Sequence, residues 1–162
     1  MMQDTDPHKR LAAALGRVPS GLFVLTARRG SAETGMLTSW VQQCSFEPPL
    51  VSVAVQRGRE ILPWLAEGAA FTINILDATQ TDMIVHFGKG FALDQAAFEG
   101  LEIERSETGN PVLSEALAYL DCQVHGRCGA GDHELVLGRV TAGRVLGEGT
   151  PMVHVRKSGV HY

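Results

Sequence analysis

The sequence predicts a mainly β domain, an antiparallel barrel of six or seven strands with short flanking helices. Three observations carry this. Apolar residues alternate with small or polar ones in residues 51–55 and 70–76, the period of half-buried strands. Glycine and proline punctuate those runs at Gly30, Pro48-Pro49, Gly109-Asn110-Pro111 and residues 129–131. Helical spacing is confined to short segments. Closure into a barrel would remove the strand edges at which sheets recruit foreign strands.

Taken in order, Asp6 and Pro7 read as a helix N-cap and first helical position, Leu11, Ala14 and Leu15 share a face, and Gly16 offers a stop. Residues 1–10 are expected to form a flexible N-terminus and 11–162 a single domain. Residues 21–28 (GLFVLTAR) are rich in strand formers, and the turn at 29–31 leads into a second strand carrying 35–40, which makes a hairpin. Pro48 and Pro49 remove two backbone donors, so the next strand starts after Pro49.

Residues 56–59 form a polar bend, a helix is expected at about 60–67 with Gly68 near its C-cap, and 70–76 is a strand. Met83, Ile84 and Phe87 give residues 80–87 a helical spacing. Residues 88–100, with three glycines, two phenylalanines and one lysine, read as a loop partly covering a ligand. Residues 101–104 form a short strand, and 118–128 a long one with Leu120, Cys122 and Val124 on one face. The turn at 129–131 leads to an antiparallel neighbour at 133–146, and 152–156 is the last strand.

With 162 residues, 44% hydrophobic and 20% charged, the chain can bury one core without staples. No apolar run approaches the roughly 18 residues of a membrane span, and the first ten residues lack the apolar region of a secretory leader. The net charge of −4, with scattered positive residues, argues against a nucleic-acid surface. Cys44, Cys122 and Cys128 are odd in number and lack a paired spacing, which suits a reducing cytoplasm. Cys122, His125 and Cys128 lack a second ligand pair at finger-like spacing, so no metal site is expected.

Between Gly35 and Gln56, Thr38 and Ser39 set short hydroxyls and amides beside Trp40, a combination suited to the edge of a flat polar ring, or equally to two core strands joined by a loop. That run, with its Pro-Pro-Leu-Val strand, resembles the flavin reductase-like proteins of the FMN-binding split-barrel group. HFGKGFALDQAAFEG (86–100), the stretch from Ala116 through Cys122, Gly131-Asp132-His133 and the terminal RKSGVHY are similar to the flavin reductase modules attached to cyanobacterial flavodiiron proteins. The resemblance covers residues 11–162, nearly the whole chain, and implies an antiparallel split β-barrel of Greek-key type that binds FMN, with FAD as the alternative. It also implies a cytoplasmic homodimer, NADH or NADPH as hydride donor, and a monooxygenase or flavodiiron electron acceptor. The context departs from those modules: the 162 residues contain no flavodiiron part.

The resemblance assigns Thr38, Ser39, Trp40 and Val41 to the flavin ring and ribityl chain. Cys44, a little further on, reads as a small buried residue rather than a redox thiol. A phosphate monoester needs amide donors or a cation. The bend offers Gln56, Arg57, Gly58 and Arg59; related reductases place a serine-rich phosphate loop there, whereas this chain has Gly58, Arg59 and Glu60. Arg59 is the first candidate, against the reading of a solvated surface arginine, and Lys89 is the second. His133 is the catalytic candidate, placing nicotinamide or stabilising reduced flavin, although a lone histidine is more often structural. His8, His86, His125, His154 and His161 have weaker claims, and Trp64 reads as core packing.

Flavin does the redox chemistry itself, which accords with the lack of a serine-histidine-acid pattern. Three functional readings follow. One is an NAD(P)H-dependent flavin reductase. Another is an FMN-binding electron-transfer module serving a flavodiiron or rubredoxin-like partner without efficient NAD(P)H oxidation. A non-catalytic dimeric scaffold is the third.

Overall fold

The computed structural model describes residues 6–160. Helix α1 (Pro7–Leu15) starts where Asp6 accepts a hydrogen bond from the His8 amide at 2.9 Å, and it ends at Gly16. It therefore begins inside the segment expected to be flexible, of which residues 1–5 lie outside the described residues, as do His161 and Tyr162 of the terminal motif. No α1 residue is buried.

The strands follow: β1 (Ser20–Gly21), β2 (Phe23–Arg29), β3 (Ala32–Thr38), β4 (Val41–Ser45), β5 (Leu50–Gln56) and β6 (Ala70–Ile75). Helix α2 (Thr81–Gly88) and a long loop lead to β7 (Ile103–Arg105), β8 (Pro111–Leu113), β9 (Ala118–Ala130), β10 (His133–Val145) and β11 (Val153–His154). Seven of these strands make one antiparallel sheet in the order β3-β2-β6-β9-β10-β5-β4, while β1 pairs with β11 and β7 with β8.

The expected hairpins form. β2 pairs β3 from Phe23 opposite Thr38 to Arg29 opposite Ala32, and β5 starts directly after Pro49. β9 and β10 pair along their whole length with two register shifts. Closure of the barrel does not follow: β3 and β4 are the outer strands of an open sheet. The sequence reading also missed β4, an edge strand whose VQQCS has no apolar alternation because its middle residues face solvent. Cys44 lies there and is exposed, not buried. The helix expected at 60–67 is only a 3-10 turn (Leu62–Trp64), since Pro63 cannot donate a helical hydrogen bond.

Two hydrophobic clusters flank the sheet. One gathers Leu25, Val53, Phe71, Ile73 and Val136, with Trp64 packed against it. The other gathers Leu22, Val24, Leu76, Met83 and Phe87 beneath α2 and the following loop. Adjacent β2 residues Val24 and Leu25 thus point into different clusters, which accounts for a strand buried on both faces. Glycines make two close approaches possible: a Cβ at Gly138 would lie 2.5 Å from Phe71 Cζ, and one at Gly35 would lie 2.6 Å from Phe87 Cε1.

A buried polar network ties the turn between β7 and β8 to the sheet. The Asp121 carboxylate, fully buried, accepts from Thr72 Oγ1 (2.7 Å), Thr108 Oγ1 (2.9 Å) and the Thr108 amide (2.9 Å). Asn74 donates to the Val24 carbonyl and accepts from the Leu113 amide at 2.8 Å. Among the described residues, no helix is long and apolar enough to cross a membrane.

Candidate functional site

Where β3 ends and β5 ends, the backbone leaves a cavity of about 200 Å³. Thr38, Ser39 and Trp40 come to it from the end of β3, and Ala54, Val55 and Gln56 from the end of β5. Ile84, Phe87 and Gly88 of α2 cover it, with Leu22, Met36 and Leu37 completing an apolar wall. The amide of Ala54 donates to the Trp40 carbonyl at 3.0 Å, which fixes the chain just beyond β3 against β5.

The polar lining has a distinctive state. Among the described residues, the side chains of Thr38, Ser39, Gln56, Arg59 and His154 make no hydrogen bond or ion pair with the protein, although Thr38 is only 8% exposed. None of these polar atoms is buried without a partner, so they stand open to the cavity with bonding capacity to spare, and a hydroxyl or amide edge beside an apolar wall suits a flat heteroaromatic ring.

Arg59 stands at the mouth. It is shared with a depression of about 570 Å³ that also contains Gly58, Glu60, Lys89 and Gln95. Its Nη1 lies 3.8 Å from where a Cβ of Gly90 would project, and Gly90 has φ +74°. Gly58 also takes a positive φ, +88°, so the bend that replaces the serine-rich loop depends on backbone rather than hydroxyls. Glu60 accepts from the Leu93 amide at 3.0 Å, fastening this bend to the loop after α2.

That loop is anchored by aromatic packing. Phe91 and Phe98 lie 5.8 and 6.0 Å from the Phe87 ring, His86 Nε2 donates to the Ala97 carbonyl (2.8 Å), and Lys89 Nζ lies 5.1 Å from the Phe91 ring centre. The loop expected to cover a ligand is packed on α2 and contributes Gly90 to the cavity lining.

Thr38, Ser39, Trp40, Gln56 and Arg59 therefore meet at one cavity, and Lys89 lies beside its mouth. Val41 does not line it. It faces a neighbouring hollow of about 320 Å³ on the other side of Trp40, together with Ser39 and Ser52. His133 lies behind Trp40, with ring centres 4.8 Å apart, outside the cavity lining. Its Nδ1 is 2.7 Å from Asp132 Oδ1, and that hydrogen bond is the main reason the Asp132 carboxyl is held below its ordinary range. Arg156 lies over the Trp40 ring at 4.8 Å.

The sequence reading undervalued His154 and Arg156. His154 lines the cavity because β11 pairs with β1, Ser20 opposite His154, and Arg156 reaches Trp40 where its amide donates to the Gly16 carbonyl, contacts across most of the chain that local pattern does not reveal. Cys122 takes no part: burial pushes its thiol up to about 12, with the Asp121 carboxylate adding to the effect.

Comparison with known proteins follows the same geometry. Residues 15–160 match the family described as "Flavin reductase like domain". The chain is similar to diflavin flavoprotein A 1 of Synechocystis sp., 40% identical over 154 residues that make up 94% of this chain and 27% of that protein. It thus spans about a quarter of the length of the curated relatives it matches. Among solved structures it is similar to the NADH:FAD oxidoreductase SgcE6 of Streptomyces globisporus C-1027, with a TM-score of 0.84, 27% identity and coverage of 96% of this chain and 93% of that one. The same oxidoreductase in complex with NAD and FAD fragments aligns with a TM-score of 0.80 and 28% identity over 94% of this chain and 92% of that one.

Proposed function

The chain belongs to the flavin reductase like domain family, and from that premise we propose that it is an NAD(P)H-dependent flavin reductase that binds FMN. The observation that carries the reading is the set of side chains at Thr38, Ser39, Gln56, Arg59 and His154, all facing one cavity and none hydrogen-bonded or ion-paired among the described residues.

The residues fit a flavin. Leu22, Met36, Leu37 and Ile84 offer apolar contact to a ring face, while Thr38 and Ser39 offer hydroxyls to its polar edge. Gln56 and the glycine-containing bend beyond it lead to Arg59, whose guanidinium would hold the phosphate by charge-assisted hydrogen bonds, with Lys89 adding positive potential nearby. A bound flavin supplies the hydride-accepting chemistry itself. The protein's share is to bind, to exclude water with α2 and the loop after it, and to place a nicotinamide. Trp40 would form the nicotinamide side, with His133 behind it, the imidazole tilted 46° against the indole that lines the cavity.

In this reading the open sheet belongs to a split barrel, and the protein works as a cytoplasmic homodimer delivering electrons to a monooxygenase or flavodiiron acceptor. The similarity to diflavin flavoproteins favours a second reading, an FMN-binding electron-transfer module. Steady-state oxidation of NADH and NADPH with FMN or FAD separates the two. Turnover with either nucleotide supports the reductase, and negligible turnover with both, in a protein that binds flavin, supports the module.

A further inference from the structure

His133 is held by a neighbour that no comparison brings forward. Asp132 ends the turn between β9 and β10, where Gly131 takes a φ of +63°. Its carbonyl accepts from the Arg57 amide at 2.9 Å, and an Arg57 guanidinium nitrogen lies 2.7 Å from where a Cβ of Gly129 would project. This turn is therefore pinned to the bend that carries Arg59. From it the Asp132 carboxylate reaches His133 Nδ1 at 2.7 Å, and the imidazole meets the Trp40 indole at an interplanar angle of 46°.

We propose that Asp132 is the positioning residue for His133: its carboxylate holds the hydrogen on Nδ1 and sets the angle at which the ring meets Trp40. The proposal rests on the reductase reading for its consequence, not for its geometry. A carboxylate only accepts, so the facing nitrogen must carry the hydrogen, which makes Nε2 the acceptor of the neutral ring. Carboxylates behind working histidines act in this way on metal centres and in hydrolytic triads. The burial contrast fits that role. The His133 side chain is 7% exposed and the Asp132 side chain 82%, so an ion pair formed for stability alone would contribute little here.

That exposure also makes a clean test, because Asp132→Ala should fold. Long-range proton–nitrogen spectra of imidazole-labelled protein, with the His133 signals identified by their loss in His133→Gln, read the tautomer directly. The wild type should show Nδ1 protonated, Asp132→Ala should move the hydrogen toward Nε2, and Asp132→Asn, which keeps an acceptor oxygen, should retain the wild-type pattern. In anaerobic single turnovers, hydride transfer from NADH should fall about tenfold in Asp132→Ala. The FMN dissociation constant should change less than about twofold, as expected of an exposed group outside the cavity. Unchanged His133 signals in Asp132→Ala would overturn the proposal, as would flavin affinity falling in step with the rate. If the wild type neither binds flavin nor oxidises NADH, the functional reading fails, while the spectra still decide the role of Asp132.

Discussion

Two groups of polar side chains in this molecule are treated in opposite ways. Around Asp121, the threonines, Asn74 and the turn before β8 consume one another's hydrogen bonds. Around the cavity, the side chains of Thr38, Ser39, Gln56, Arg59 and His154 have the same kinds of groups and, among the described residues, make no hydrogen bond or ion pair. The same sheet holds both, separated by a few residues of β2 and its neighbours: Thr26 stands opposite Thr72, and Phe23 opposite Thr38. The first arrangement is what stability requires; the second makes sense where something else takes the bonds.

Substitutions can break this comparison, beginning with the largest effect. Asp121→Ala leaves two threonine hydroxyls and the Thr108 amide without their acceptor and should cost about 3 kcal/mol or more of folding stability. A denaturant midpoint lowered at constant slope would show it, and flavin affinity of the folded fraction should not move. Arg59→Gln should do the reverse. Loss of a charged hydrogen bond to phosphate weakens FMN binding by about 1.5–3 kcal/mol, roughly 10- to 150-fold, with riboflavin binding and thermal stability unchanged.

A matched pair sharpens the contrast. Thr72→Val should destabilise by about 1 kcal/mol, because its hydroxyl donates to Asp121, whereas Thr38→Val should leave stability within about 0.5 kcal/mol and weaken flavin binding by about 1 kcal/mol. Equal stability losses in the two variants would erase the distinction drawn here.

The smallest effect concerns acid. Asp77 has its carboxyl held below the ordinary 3.8, first by the Thr79 hydroxyl and then by the Thr79 amide. A carboxyl depressed in the folded state adds stability above its unfolded value, and that stability is lost as pH falls through the lower folded value. Stability measured below about pH 4 should therefore fall less steeply in Asp77→Asn than in the wild type.

The parts of this molecule that were legible in the sequence are those whose signals are local. The β2–β3 and β9–β10 hairpins announce themselves by strand formers around Gly30 and Gly131, and β5 by its valines after two prolines. Edge strand β4 carries no such signal, because alternation records burial and its middle residues have none. Pro63 was read inside a helix that it in fact limits to one 3-10 turn. For the site, Thr38 to Arg59 lie close in sequence and could be grouped by motif. His154 depends on the pairing of β11 with β1, Arg156 on the bond of its amide to the Gly16 carbonyl, and the polar contrast on which hydroxyls find partners, which only the folded chain decides.

If the proposed function holds, the cavity's polar groups are kept for a flavin that a nicotinamide nucleotide reduces. Anaerobic titration of the purified protein with FMN and FAD, followed by NADH and then NADPH, tests it most directly. Flavin should bind saturably, and the oxidised flavin absorption should bleach on addition of at least one nucleotide. A protein that binds neither flavin at any concentration would contradict it.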